Sequence, residues 1–107
     1  MNLKTKIGSR LAVIAASVIL LSCAGSKKNT DPNHIIVGVE SGPEYKIAQV
    51  AQQVAKEKYG LDVELIQFND YVMPNESLHQ GDIEANVYQN KPYLDVQSKQ
   101  RGYNLLL

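Results

Sequence analysis

The sequence predicts an α/β fold built on a mostly parallel sheet. Short apolar, β-branched runs alternate with amphipathic helical stretches from residue 34 onward. Each helical stretch is opened by a proline and closed by a glycine, as in Pro43 with Gly60, Pro74 with Gly81 and Pro92 with Gly102. A helix between successive strands requires a crossover connection, which makes those strands parallel.

The first strand is HIIVGVES, residues 34–41. The helix after Pro43 carries Ile47, Val50, Ala51 and Val54 at i, i+3, i+4 and i+7, which predicts a core-facing stripe. Lys46, Gln49, Gln53, Lys56 and Glu57 fall on the wet side. LDVELIQF, residues 61–68, reads as the second strand. A loop then leads to a short helix from near Pro74 to Gly81. DIEANVYQ predicts a third strand over 82–89, with Ile83, Ala85 and Val87 on one face and Glu84, Asn86 and Tyr88 on the other. A helix runs from Pro92 to about Arg101, and YNLLL reads as the start of a fourth strand. The expected order is β-α-β-α-β-α-β.

The segment before this body reads as an address. Lys4, Lys6 and Arg10 precede the apolar run LAVIAASVILL, and the small residues SCAGS follow. That is the pattern of a secretory signal, and the run is too short for a spanning helix. Cys23 directly follows Leu20-Leu21-Ser22, which resembles a bacterial lipobox, so residues 1–22 are expected to be removed and Cys23 acylated. The alternative is a plain secretory signal with an incidental cysteine. Residues 24–33, AGSKKNTDPN, have the composition of a flexible tether. Ala24 after the cysteine leans toward the outer membrane, with the inner membrane left open.

Charge and composition exclude several classes. Beyond residue 22 the chain holds 8 basic and 11 acidic residues, a net −3, which argues against nucleic-acid binding. A single cysteine rules out an intramolecular disulfide, and His34 and His79 lack metal-ligand spacing. No phosphate loop or G-x-S-x-G elbow is present, and Ser41 has no histidine to orient it. Glu40 and Glu44 straddle a strand–helix turn and read as solvent-facing or helix-N-terminal charges rather than a catalytic pair. His79 reads as a solvated histidine near a helix end. No enzyme, metal or cofactor is expected.

Ligands of parallel sheets sit beyond the carboxyl ends of the strands. ESGPE, QFNDYV and VYQNKPY fall there and gather Phe68, Tyr71, Tyr88 and Tyr93, four of the seven aromatic residues.

The segments KYGLDVELIQFNDYVMPNESL, GDIEANVYQ and NKPYLD followed by RGY name a family. Over residues 35–104 the chain resembles the first lobe of the methionine-binding lipoproteins (the NlpA family), the solute-binding components of methionine ABC importers. The resemblance implies a periplasmic-binding-protein-like lobe over 34–107, incomplete and ending before a second lobe. It implies an importer permease as partner and a lipid anchor in the membrane. It implies that Tyr71, Tyr88, Asn90 and Tyr93 contact the ligand, either methionine, a methionine-containing dipeptide or a related amino acid. Tyr88 stands where the family usually has Phe, and Asn90 where it has His. Thioether sulfur makes favourable contacts with aromatic rings, which suits such a wall. The family's carboxylate-clamping arginine and the polar groups for the amino end belong to the second lobe, so impaired binding is expected. The alternative is a small structural or surface lipoprotein using a stand-alone α/β module.

Overall fold

The computed structural model describes residues 28–107. The predicted signal and Cys23 lie outside the described residues. The order is β1 (His34–Glu40), α1 (Pro43–Tyr59), β2 (Asp62–Phe68), α2 (Met73–Gln80), β3 (Ala85–Val87) and α3 (Lys91–Arg101). The three strands form one sheet in the order β2-β1-β3. Both pairings are parallel, with His34 opposite Asp62, Glu40 opposite Phe68 and Val39 opposite Val87. The α/β class and the parallel sheet are therefore as the sequence predicts.

Side chains alternate across the sheet. Val37, Val39, Val63, Leu65 and Val87 face α1 and line an apolar groove of about 420 Å³ beneath it. Gly38, Glu40, Phe68 and Asn86 take the opposite face by alternation and register. A Cβ at Gly38 would come within 2.7 Å of Ile83 Cδ1 and 2.8 Å of the Phe68 ring, so the sheet centre is closed around a missing side chain. The core is small: Val39, Ile83, Leu94 and Tyr103 are its buried apolar members.

Four expectations change. The α1 stripe faces the sheet only in part: Ile47 and Ala51 border the groove, but Ile47 is 71% and Val50 62% exposed. Ala48, Gln52 and Ala55 are the residues turned furthest inward. Gln52 Nε2 donates to the Val63 carbonyl at 2.5 Å, which sets the helix rotation, and two alanines let the backbone lie close. Two adjacent faces of α1 thus carry apolar residues, and the smaller side chains make the contact.

The third strand shortens to Ala85–Val87. Asp82 N–H donates to the Ser77 carbonyl and closes the α2 cap, so the chain enters the sheet late. Ile83 sits against Gly38, on the face opposite Val87, because the backbone bends before the ladder begins. The fourth strand does not form among the described residues. Strands exist only by pairing, and residues 104–107 meet no ladder partner. Tyr103 instead donates its N–H to the Ser98 carbonyl and buries its ring.

The end of the predicted tether is bound to the sheet. Asn29 Nδ2 donates to the His34 carbonyl at 2.7 Å, Asn33 N–H donates to Asp31 Oδ1 at 2.9 Å, and Asp62 N–H donates to the Asn33 carbonyl at 2.7 Å. Short Asn and Asp side chains offer the backbone such local partners, which the loop-like composition conceals.

Candidate ligand-binding site

Each predicted contact residue is set by a local device. Asp70 Oδ1 accepts from the Val72 and Met73 N–H groups, both at 2.8 Å, and opens α2 just after Tyr71. Asn90 Oδ1 accepts from Tyr93 N–H at 3.0 Å and caps α3, with Pro92 in its first turn. Asn90 therefore has a structural duty that the sequence reading did not give it, and its Nδ2 amide remains available as a donor.

The structure brings the predicted residues together. Tyr71, Tyr88, Gln89, Asn90 and Tyr93 line a cleft of about 310 Å³. The Tyr71 and Tyr88 rings lie 6.4 Å apart at 21°, and the Tyr88 and Tyr93 rings 6.2 Å apart at 78°. The Tyr88 and Tyr93 hydroxyls both donate to the Tyr71 carbonyl, at 3.1 and 2.6 Å. Two segments distant in sequence are tied at one atom. The Tyr88 and Tyr93 hydroxyls are spent on the backbone, so their rings present apolar faces and edges. Phe68 stands apart from the cleft, against Gly38.

Sequence reading missed the support beneath this wall. Asn75 is fully buried. Its Nδ2 donates to Gln89 Oε1 at 2.8 Å, and its Oδ1 accepts from Gln89 Nε2 at 2.7 Å and from Asn86 Nδ2 at 3.0 Å. The residue between Tyr88 and Asn90 is thereby fixed to α2. A polar residue flanked by a helix-opening proline gave no sign of this.

Electrostatics add a second surprise. Burial, then the Asp70 and Glu44 carboxylates, hold the Glu40 carboxyl above its ordinary range. Burial, then Tyr93 and Glu40, push the Tyr88 phenol up. Glu40 is half-buried rather than solvent-facing, while Glu44 is exposed. His79 lies at the far end of α2, its ring 4.8 Å from that of Tyr103, and does not line the cleft. Among the described residues no group of three His, Cys, Asp or Glu could hold a metal ion, and no helix is long and apolar enough to cross a membrane.

An α/β sheet with an aromatic cleft at its strand carboxyl ends is the build of a small-solute binding module. The NlpA lipoprotein family model matches residues 35–107, and the chain belongs to that family. The D-methionine-binding lipoprotein MetQ of Salmonella typhimurium is 56% identical over 106 residues, 99% of this chain and 38% of the relative. A solved methionine binding protein, MetQ, is 67% identical with a TM-score of 0.70, covering 71% of this chain and 31% of that one. A nutrient binding protein from Burkholderia cenocepacia, solved bound to methionine, is 56% identical with a TM-score of 0.66, covering 67% of this chain and 30% of that one. The chain thus spans 38% of the length of the first of these relatives. The named relatives are binding proteins, not enzymes.

Proposed function

We propose that the chain is the substrate-binding lipoprotein of a methionine ABC importer, and that this stretch supplies the aromatic half of its site. The observation that carries the reading is the convergence of the Tyr88 and Tyr93 hydroxyls on the Tyr71 carbonyl, with the three rings walling a cleft at the strand ends. Family membership supports it, as do the printed names of the relatives.

The aromatic wall reads the thioether. Each sulfur–ring contact contributes about 0.3–1.5 kcal/mol. Such contacts recognise the side chain and are indifferent to the hand of the α-carbon, so D- and L-methionine both fit this half. Asn90 Nδ2 adds a hydrogen-bond donor. A zwitterion also needs its charged ends satisfied, and the aromatic cleft alone does not do that. This stretch therefore binds methionine weakly, at about millimolar Kd. Residues 34–107 serve as one lobe, residues 1–22 as the export signal, and acylated Cys23 as the membrane anchor on the envelope face where the importer permease is met.

Calorimetric titration of L-methionine into the full chain tests the ligand, with Tyr93→Ala alongside. Binding by the wild type and its loss in the variant support the assignment. Equal behaviour of the two chains removes it. Labelled palmitate incorporated by bacteria expressing the chain, and lost in Cys23→Ala, tests the anchor.

A further inference from the structure

Glu40 closes the central strand, and its side chain makes no ion pair among the described residues. Its Oε1 is buried and makes no hydrogen bond. Buried carboxylate oxygens without a partner are rare, and each asks for an explanation.

Its position supplies one. Glu40 pairs with Phe68 on one side, and the Val39–Val87 pair places Tyr88 one step along on the other. Paired residues of parallel strands project to the same face. Glu40 therefore shares its face of the sheet with Tyr88, at the carboxyl ends where the aromatic cleft opens. The cleft lining supplies rings for an apolar side chain, and Glu40, outside that lining but on the face of Tyr88, supplies one desolvated acceptor.

We propose that Glu40 receives the α-ammonium group of the bound amino acid, so that this lobe holds the amino end as well as the side chain. The inference rests on the amino-acid-binding reading above. The second-lobe residues that the family resemblance credits with the amino group would then share it with Glu40. The chemistry is that of an unpaired buried acceptor meeting a cationic donor, a charge-assisted hydrogen bond. The neighbouring Asp70 and Glu44 carboxylates add to the negative field there and favour a cation further. No cation of the lobe competes for it among the described residues.

Chemical-shift titrations of the full chain test this with two probes. L-Methionine carries the ammonium, and 4-(methylthio)butanoate keeps the thioether and carboxylate without it. The wild type should prefer methionine by about tenfold or more, the scale of a hydrogen bond to a charged group. Glu40→Gln should weaken methionine by about the same factor. The same variant should leave the butanoate unchanged or tighten it, because a like charge is removed. That crossing is one a general structural defect would not produce. Glu40→Asp, which keeps the charge one methylene further back, should recover part of the preference. If the wild type binds methionine and Glu40→Gln binds it equally well, or loses both probes alike, the ammonium assignment is overturned and the methionine reading stands. If the wild type binds neither probe, the methionine reading falls and takes the assignment with it.

Discussion

Asn75 on α2 and Gln89 beyond β3, 14 residues apart, exchange both of their side-chain amide hydrogen bonds, at 2.8 and 2.7 Å. The pair is a polar rivet between the helix that follows Tyr71 and the loop that carries Tyr88 and Asn90. Asn75→Leu leaves Gln89 Oε1 without its donor, Gln89 Nε2 with only a 3.4 Å contact to Asn86 Oδ1, and Asn86 Nδ2 with only the Pro74 carbonyl. The expected loss of stability is about 1–3 kcal/mol, the scale of an unsatisfied buried polar group. Urea denaturation reads it, and an unchanged midpoint would show that the rivet contributes nothing.

Gly38 is enclosed by Ile83 and Phe68. Gly38→Ala forces the Phe68 ring or the Ile83 methyl to move, at a cost of about 1–3 kcal/mol. Adding Ile83→Val removes the nearer atom and should restore part of the loss. Thermal melts of the single and double variants measure this coupling.

Tyr103 donates its hydroxyl to Glu76, and Gln80 donates to the same carboxylate. These bonds, Tyr103 first, hold the Glu76 carboxyl below its ordinary value of 4.5. A depressed carboxyl stabilises the fold above its unfolded-state value, and that contribution fades as pH falls through the folded-state value. Tyr103→Phe should therefore destabilise the chain at neutral pH and flatten its stability profile below about pH 4.5. Denaturation midpoints collected from acid to neutral pH give the comparison; a profile parallel to the wild type would contradict it.

Asn90 both lines the cleft and caps α3. Asn90→Ala should lose about 1 kcal/mol of stability through the cap. Asn90→Asp keeps the acceptor and should retain it. The two variants separate capping from ligand contact, since both remove the Nδ2 donor.

The parts of the fold that follow from local rules were legible in the sequence. Pro43, Pro74 and Pro92 start helices, and Gly60, Gly81 and Gly102 end them in left-handed conformation. The tyrosine cluster was legible too, because strand carboxyl ends converge in any parallel sheet. What was not legible depends on partners distant in the chain. Gln52 had no part in the predicted stripe, yet its bond to the Val63 carbonyl sets how α1 sits on the sheet. The LLL run looked like a strand but has no neighbour to pair with. Asn75 and Glu40 gave no periodic signal, since one buried amide and one orphan oxygen acquire meaning only from what surrounds them.

The most direct measurement compares L-methionine with norleucine, its sulfur-free isostere, by the ring signals of Tyr71, Tyr88 and Tyr93 in the full chain. Methionine should shift all three saturably, at about millimolar concentration. Norleucine should bind several-fold more weakly, roughly the worth of one or two sulfur–ring contacts. Equal affinity for the two, or shifts that spare these tyrosines, would show that the aromatic cleft does not read a thioether.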